Sequence, residues 1–160
     1  MSYNVEKTKN KIGEIKKNIE AKNSELSNLE KNKQELLDAG MSVQGADLDE
    51  KVQKTVMDAI NNALEANAEK GQELSSELNE NMSDLEDMKQ NTQNSLESSK
   101  SEEARLEQKK ALLDKLGLGQ HLERGISDLK NNQRELGDIN KELIEAQREI
   151  SDASKKLNLL

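Results

Sequence analysis

Aliphatic residues recur at alternating steps of three and four through most of the chain, and Glu, Lys, Asn and Ser fill the positions between them. Written as heptads from Val5, position a holds Val5, Ile12, Ile19, Leu26 and Lys33, and position d holds Thr8, Ile15, Lys22, Leu29 and Leu36. Seven of these ten are aliphatic. A 3.5-residue repeat keeps one stripe facing a partner helix, so the spacing predicts a coiled-coil helix here. A second frame puts Met57, Leu64, Gly71, Leu78, Leu85 and Thr92 at a, with Ile60, Asn67, Leu74, Asn81 and Met88 at d. The third frame is the most regular. Leu122, Leu129, Leu136, Leu143, Ile150 and Leu157 occupy every a position, and Gly125, Asn132, Ile139, Ala146 and Ala153 occupy d. A seam of large a and small d residues lets two helices approach closely. Six aliphatics at a strict spacing of seven also argue against disorder.

Two stretches interrupt the pattern. Residues 38–46 contain Gly40 and Gly45, which can end a helix or turn the chain, and Asp47 with Glu50 resembles a capping box that restarts one. Residues 117–120 open with Gly117-Leu118-Gly119, a second turn signal. Between the turns, residues 89–103 carry only Leu96 as a large apolar residue. The expected fold is therefore all-α, built of antiparallel coiled-coil hairpins: residues 1–88, with their turn at 38–46, and residues 104–160, with their turn at 117–120. Residues 89–103 act either as a polar hinge or as continuous helix. A continuous segment gives an elongated central helix flanked by two shorter ones, whereas a break gives a four-helix bundle. Helical Ser and Asn are only mildly unfavourable, so both arrangements stay open.

Folding at the first turn brings residue i near residue 86 − i. That register sets Lys7, Lys9, Lys11, Lys16 and Lys17 against the region of Glu69, Glu73, Glu77 and Glu80. Folding at the second turn brings residue i near residue 237 − i, so Leu136, Ile139, Leu143 and Ala146 face the polar residues 91–101. An apolar stripe opposite a polar one leaves surface to be covered by another chain. Leu136, Ile139 and Leu143, with Leu129 and Ile150 on the same stripe, are thus candidate protein-binding residues. The competing reading makes them core of the chain's own bundle.

Composition narrows the chemistry. Proline, cysteine, tryptophan and phenylalanine are absent, and Tyr3 is the single aromatic residue. The first absence suits uninterrupted helices; the lack of cysteine removes disulfides and thiolates. Charged residues make up 35% of the chain and the net charge is −8, which disfavours phosphate-driven nucleic-acid binding. The first helix is lysine-rich, but its lysines alternate with glutamates and lack aromatic stacking partners. No apolar run reaches membrane-spanning length, and an in-plane membrane helix would carry Trp or Phe. His121 is the only histidine, too few for a zinc or di-iron set. Neither a phosphate-binding glycine loop nor a calcium loop occurs, and nothing sets a nucleophile beside a base. The expectation is a protein without enzymatic activity, cofactor or metal, made in the cytoplasm, with export by a route lacking a cleaved signal left open.

An opening helix with Ile12, Ile15, Ile19, Leu26 and Leu29 on its stripe, a glycine turn and a long polar helix resemble the small helical partner proteins of Gram-positive type VII secretion. The resemblance covers residues 1–90 and lies in texture. The family's Trp-x-Gly turn is missing, Tyr3 is followed four residues later by Lys7 where the export signature has an acidic residue, and the chain extends beyond the usual length. It implies an adaptor that targets a secreted toxin by pairing with the toxin's helices. Beside that reading stand a self-associating coiled-coil spacer and a secreted helical effector. In each case the partner is another helical protein or a second copy of the chain.

Overall fold

The structure is a computed structural model that describes residues 3–160. These form three α-helices, α1 (Val5–Gly45), α2 (Glu50–Asp114) and α3 (Glu123–Asn158), with a short 3-10 turn over Gly119–Leu122 and no strand. The all-α class is thus the one the repeat predicts. None of the described helices is long and apolar enough to cross a membrane.

The helix ends have specific local causes. At the start of α1, Asn4 Oδ1 accepts the Lys7 N–H at 3.0 Å, satisfying one of the helix's free donors. The helix then runs through Gly40 to Gly45, across nearly all of the turn expected at 38–46. Gly40 is buried, and a Cβ there would lie 3.7 Å from the Met57 methyl, so this glycine provides close packing and not a reversal. The chain turns at residues 46–49, where the Leu48 N–H donates to the Ala46 carbonyl at 3.0 Å. α2 begins at Glu50, and the Asp49 carbonyl accepts the Gln53 N–H at 2.9 Å. Glu50 is therefore the first helical residue, too early to serve in the capping box expected with Asp47. The end of α2 carries a Schellman motif. Gly117 adopts φ +73°, the Leu118 N–H reaches the Leu113 carbonyl at 2.9 Å, and the Gly117 N–H reaches the Asp114 carbonyl at 3.1 Å.

α2 is unbroken across residues 89–103, so neither the hinge nor the four-helix bundle is formed. Within this stretch the Thr92 hydroxyl donates to the Met88 carbonyl at 2.7 Å, one turn back, which lets a polar residue sit inside a helix without an unsatisfied group.

The chain packs as two compact units. One takes residues up to Ile15 with Ser83–Gln147, and the other takes Lys16–Met82 with Arg148–Leu160. Each unit draws on all three helices.

In the second unit the core is Ile19, Leu26 and Leu29 of α1, Ile60, Leu74 and Leu78 of α2, and Ile150, Ala153 and Leu157 of α3. α1 and α2 run antiparallel. Asn67 Nδ2 donates to the Leu29 carbonyl at 3.0 Å, Lys22 pairs with Glu77 at 3.4 Å, and Gly40 meets Met57. Residue i therefore lies near residue 97 − i, not 86 − i. The shift follows from the turn, which falls several residues later than the glycines indicate. Among the described residues Lys22 is the α1 lysine paired with an α2 glutamate, in place of Lys7, Lys9, Lys11, Lys16 and Lys17. With Glu77 mostly exposed, such a pair contributes about 0–1 kcal/mol. Asn67 is buried at a d position and fixes this register at some cost in apolar burial. Asn67→Leu is expected to raise the melting temperature by about 2–4 °C, for roughly 1 kcal/mol, while broadening the assembly states seen by light scattering. A lower melting temperature would mean that the hydrogen bond outweighs the added burial.

In the first unit the core is Ile12 and Ile15 of α1, Leu85 and Met88 of α2, and Ile126, Leu136, Ile139, Leu143 and Ala146 of α3. Gln147 Nε2 donates to Glu86 at 2.7 Å, Lys130 pairs with Glu103 at 3.8 Å and Lys110 with Glu123 at 3.7 Å. These contacts set residue i near residue 233 − i, about one helical turn from the expected register.

Candidate interaction surfaces

The α3 stripe proposed for partner contact lies mostly inside the fold. Leu136, Ile139, Leu143 and Ile150 are at most 1% exposed, and Leu129 is half-buried. Leu136, Ile139, Leu143 and Ile150 are thus core residues of the chain's own fold, as in the competing reading of this stripe. The polar stretch opposite the first three closes the gap because its inward residues are small. Thr92 and Ser99 are buried, the Tyr3 and Thr92 hydroxyls are hydrogen-bonded at 3.0 Å, and the Ser99 hydroxyl donates to the α3 backbone at Leu129, 3.4 Å away. Once their hydroxyls are satisfied, short side chains let α3 sit close to α2 and cover its own leucines.

The apolar residues left in solvent lie elsewhere. In the first unit Leu112, Leu116 and Leu118 are exposed around the Schellman turn. In the second unit Leu37 and Met41 of α1 are 42% and 72% exposed. They sit on a defined face. α3 lies along the α1 stripe that contains Asn23, Leu26, Ser27 and Glu30, where these residues share a groove with Glu149, Asp152, Ala153 and Lys156. Leu37 is seven residues past Glu30 and Met41 is fourteen past Ser27, so both prolong that stripe by whole heptads. On α2 the end of α3 covers Gly71, where a Cβ would meet Leu160 at 3.2 Å and Leu157 at 3.7 Å. Leu64 and Met57, at steps of seven from Gly71, are half-buried and prolong the α2 side of the same groove.

α3 ends at Asn158, and Lys33 Nζ donates to the Leu159 carbonyl at 2.8 Å. Sequence reasoning missed Leu37 and Met41 because Leu37 falls at position e beside the expected d residue Leu36, and Met41 was assigned to a turn. The available signal was a pair of apolar residues, four apart, just off the main seam.

His121 is exposed beside the 3-10 turn, and among the described residues no group of three or more His, Asp or Glu side chains is placed to hold a metal ion. No protein-family model, curated protein or solved structure matches the chain.

Proposed function

We propose that the protein is a non-catalytic adaptor that binds a helix of another protein. One observation carries this reading: Leu37 and Met41 of α1 are solvent-exposed in the second unit and lie at heptad steps from the α1 residues against which α3 packs. The same heptad rows hold α3 where α3 is present, so their continuation offers a helix the same apolar footing. A narrower form of the proposal, a targeting partner for a secreted toxin, draws on the likeness of residues 1–90 to the type VII partner proteins.

Light scattering on the chain mixed with the product of its neighbouring gene tests the reading. The expected result is a discrete complex that Leu37→Ser with Met41→Ser weakens by about tenfold or more, equivalent to roughly 1.4 kcal/mol or more. A complex indifferent to both substitutions would put the contact on another face.

A further inference from the structure

The second unit carries a cleft of about 350 Å³ between α1 and α2, on the side away from α3. On α1 it is lined by Asn32, nine residues past Asn23 of the stripe that α3 packs against. Nine residues are about two and a half helical turns, which sets the two on opposite faces. The length of α3 therefore has no bearing on whether this cleft is open. Its walls are small and apolar, with Ala63 and Ala66 from α2 and Leu36 from α1. Asn67 also lines it and is only 8% exposed. The Asn67 Nδ2 is committed to the Leu29 carbonyl, 3.0 Å away, while its Oδ1 accepts no hydrogen bond from the described residues. An acceptor in so enclosed a place costs free energy unless a donor reaches it. The register of α1 on α2 uses the Nδ2 bond alone, so holding that register does not account for the oxygen. The remaining lining residues are Glu35 and Lys70, one charge of each sign, and the amide of Asn32. Such a rim gives neither a cation nor an anion an advantage.

We infer that the cleft receives a side-chain amide, Gln or Asn, from a helix of the partner protein. The methylene stem lies against Leu36, Ala63 and Ala66, and the amide N–H donates to Asn67 Oδ1. The amide oxygen is left to accept from Lys70 or Asn32. A neutral group with an apolar stem and a donor at its tip suits every wall of the cleft, whereas a leucine brings no donor and a carboxylate or ammonium brings an unbalanced charge. This inference rests on the adaptor reading and adds a second contact, on a face of α1 other than the one that holds Leu37 and Met41.

Propionamide probes the cleft directly, with 2-butanone as a control of similar size that has the same carbonyl and no N–H. Both are titrated into the full chain and followed by two-dimensional NMR of backbone and side-chain amides. Propionamide should shift the Asn67 side-chain signal and the backbone signals of residues 63–67, saturating in the millimolar range, and 2-butanone should bind about tenfold or more weakly. Asn67→Leu removes the acceptor, and it should abolish the propionamide response and weaken the complex with the neighbouring gene product about tenfold or more. Because this variant is expected to melt higher than the parent chain, its loss of binding is not a loss of folding. Ala66→Leu, at an exposed helical position, fills the cleft and should have the same two effects. Equal responses to the two compounds, or none from residues 63–67, would leave Asn67 Oδ1 to water and overturn the inference. A complex indifferent to Asn67→Leu and Ala66→Leu but weakened by Leu37→Ser with Met41→Ser would also overturn it, with the adaptor reading intact. A propionamide response without any complex would make the occupant a free primary amide and overturn the partner helix as its source, and with it the adaptor reading.

Discussion

Replacing Leu143 with alanine is expected to destabilise the first unit by about 3 kcal/mol, whereas Ile144→Ala should change stability by less than about 0.5 kcal/mol. The two residues are neighbours in sequence and similar in size, yet Leu143 is 0% exposed and Ile144 is 39% exposed. Truncating Leu143 removes buried methyl groups and leaves a cavity between close-packed helices, and both effects act in the same direction. At Ile144 much of the lost surface was already in water, and alanine's better helix propensity offsets part of the rest. For a chain of this size the first substitution corresponds to a fall of roughly 6–12 °C in melting temperature, read by circular dichroism. The comparison also separates the two readings of the α3 stripe. If Leu143→Ala left the melt unchanged but abolished a partner complex, the stripe would be a contact surface and its assignment to the core would be wrong.

The parts of the fold that depend on spacing alone were legible in the sequence. Leu136, Leu143, Ile150 and Leu157 recur every seven residues and share one buried stripe, because seven residues are nearly two helical turns. The register of α1 on α2 was not legible in the same way. A glycine can end a helix or admit a neighbour, and the local sequence around Gly40 does not distinguish the two uses. Only the position of Met57 against it does. The character of residues 89–103 was hidden for a related reason. Hydropathy scores Thr92 and Ser99 as polar, but it takes no account of hydroxyls that find backbone carbonyls and of short side chains that admit a close helix. The candidate site was the least legible feature. The exposure of Leu37 and Met41 is a tertiary fact, because α3 packs on the α1 rows they prolong through residues more than a hundred positions away.

The small residues at the α2–α3 contact lead to an expectation opposite to the one heptad logic supplies. Ser99 occupies an a position, and filling such a position with leucine normally strengthens a seam. Here Ser99→Leu is expected to destabilise the first unit by about 2 kcal/mol, within the usual range for overpacking. The Ser99 hydroxyl lies 3.4 Å from the Leu129 carbonyl oxygen and the residue is only 6% exposed, so a branched side chain meets the α3 backbone instead of an empty space. α3 would have to move away, uncovering part of Leu136, Ile139 and Leu143, whose burial depends on that close approach. Ser98→Leu adds the same volume at an exposed neighbouring position and should alter stability by less than about 0.5 kcal/mol. Melting temperatures of the two variants, with a drop of roughly 4–8 °C for Ser99→Leu, provide the test. A rise for Ser99→Leu would mean that the helices have room at this level, and that small side chains are not what brings α3 against the polar stretch of α2.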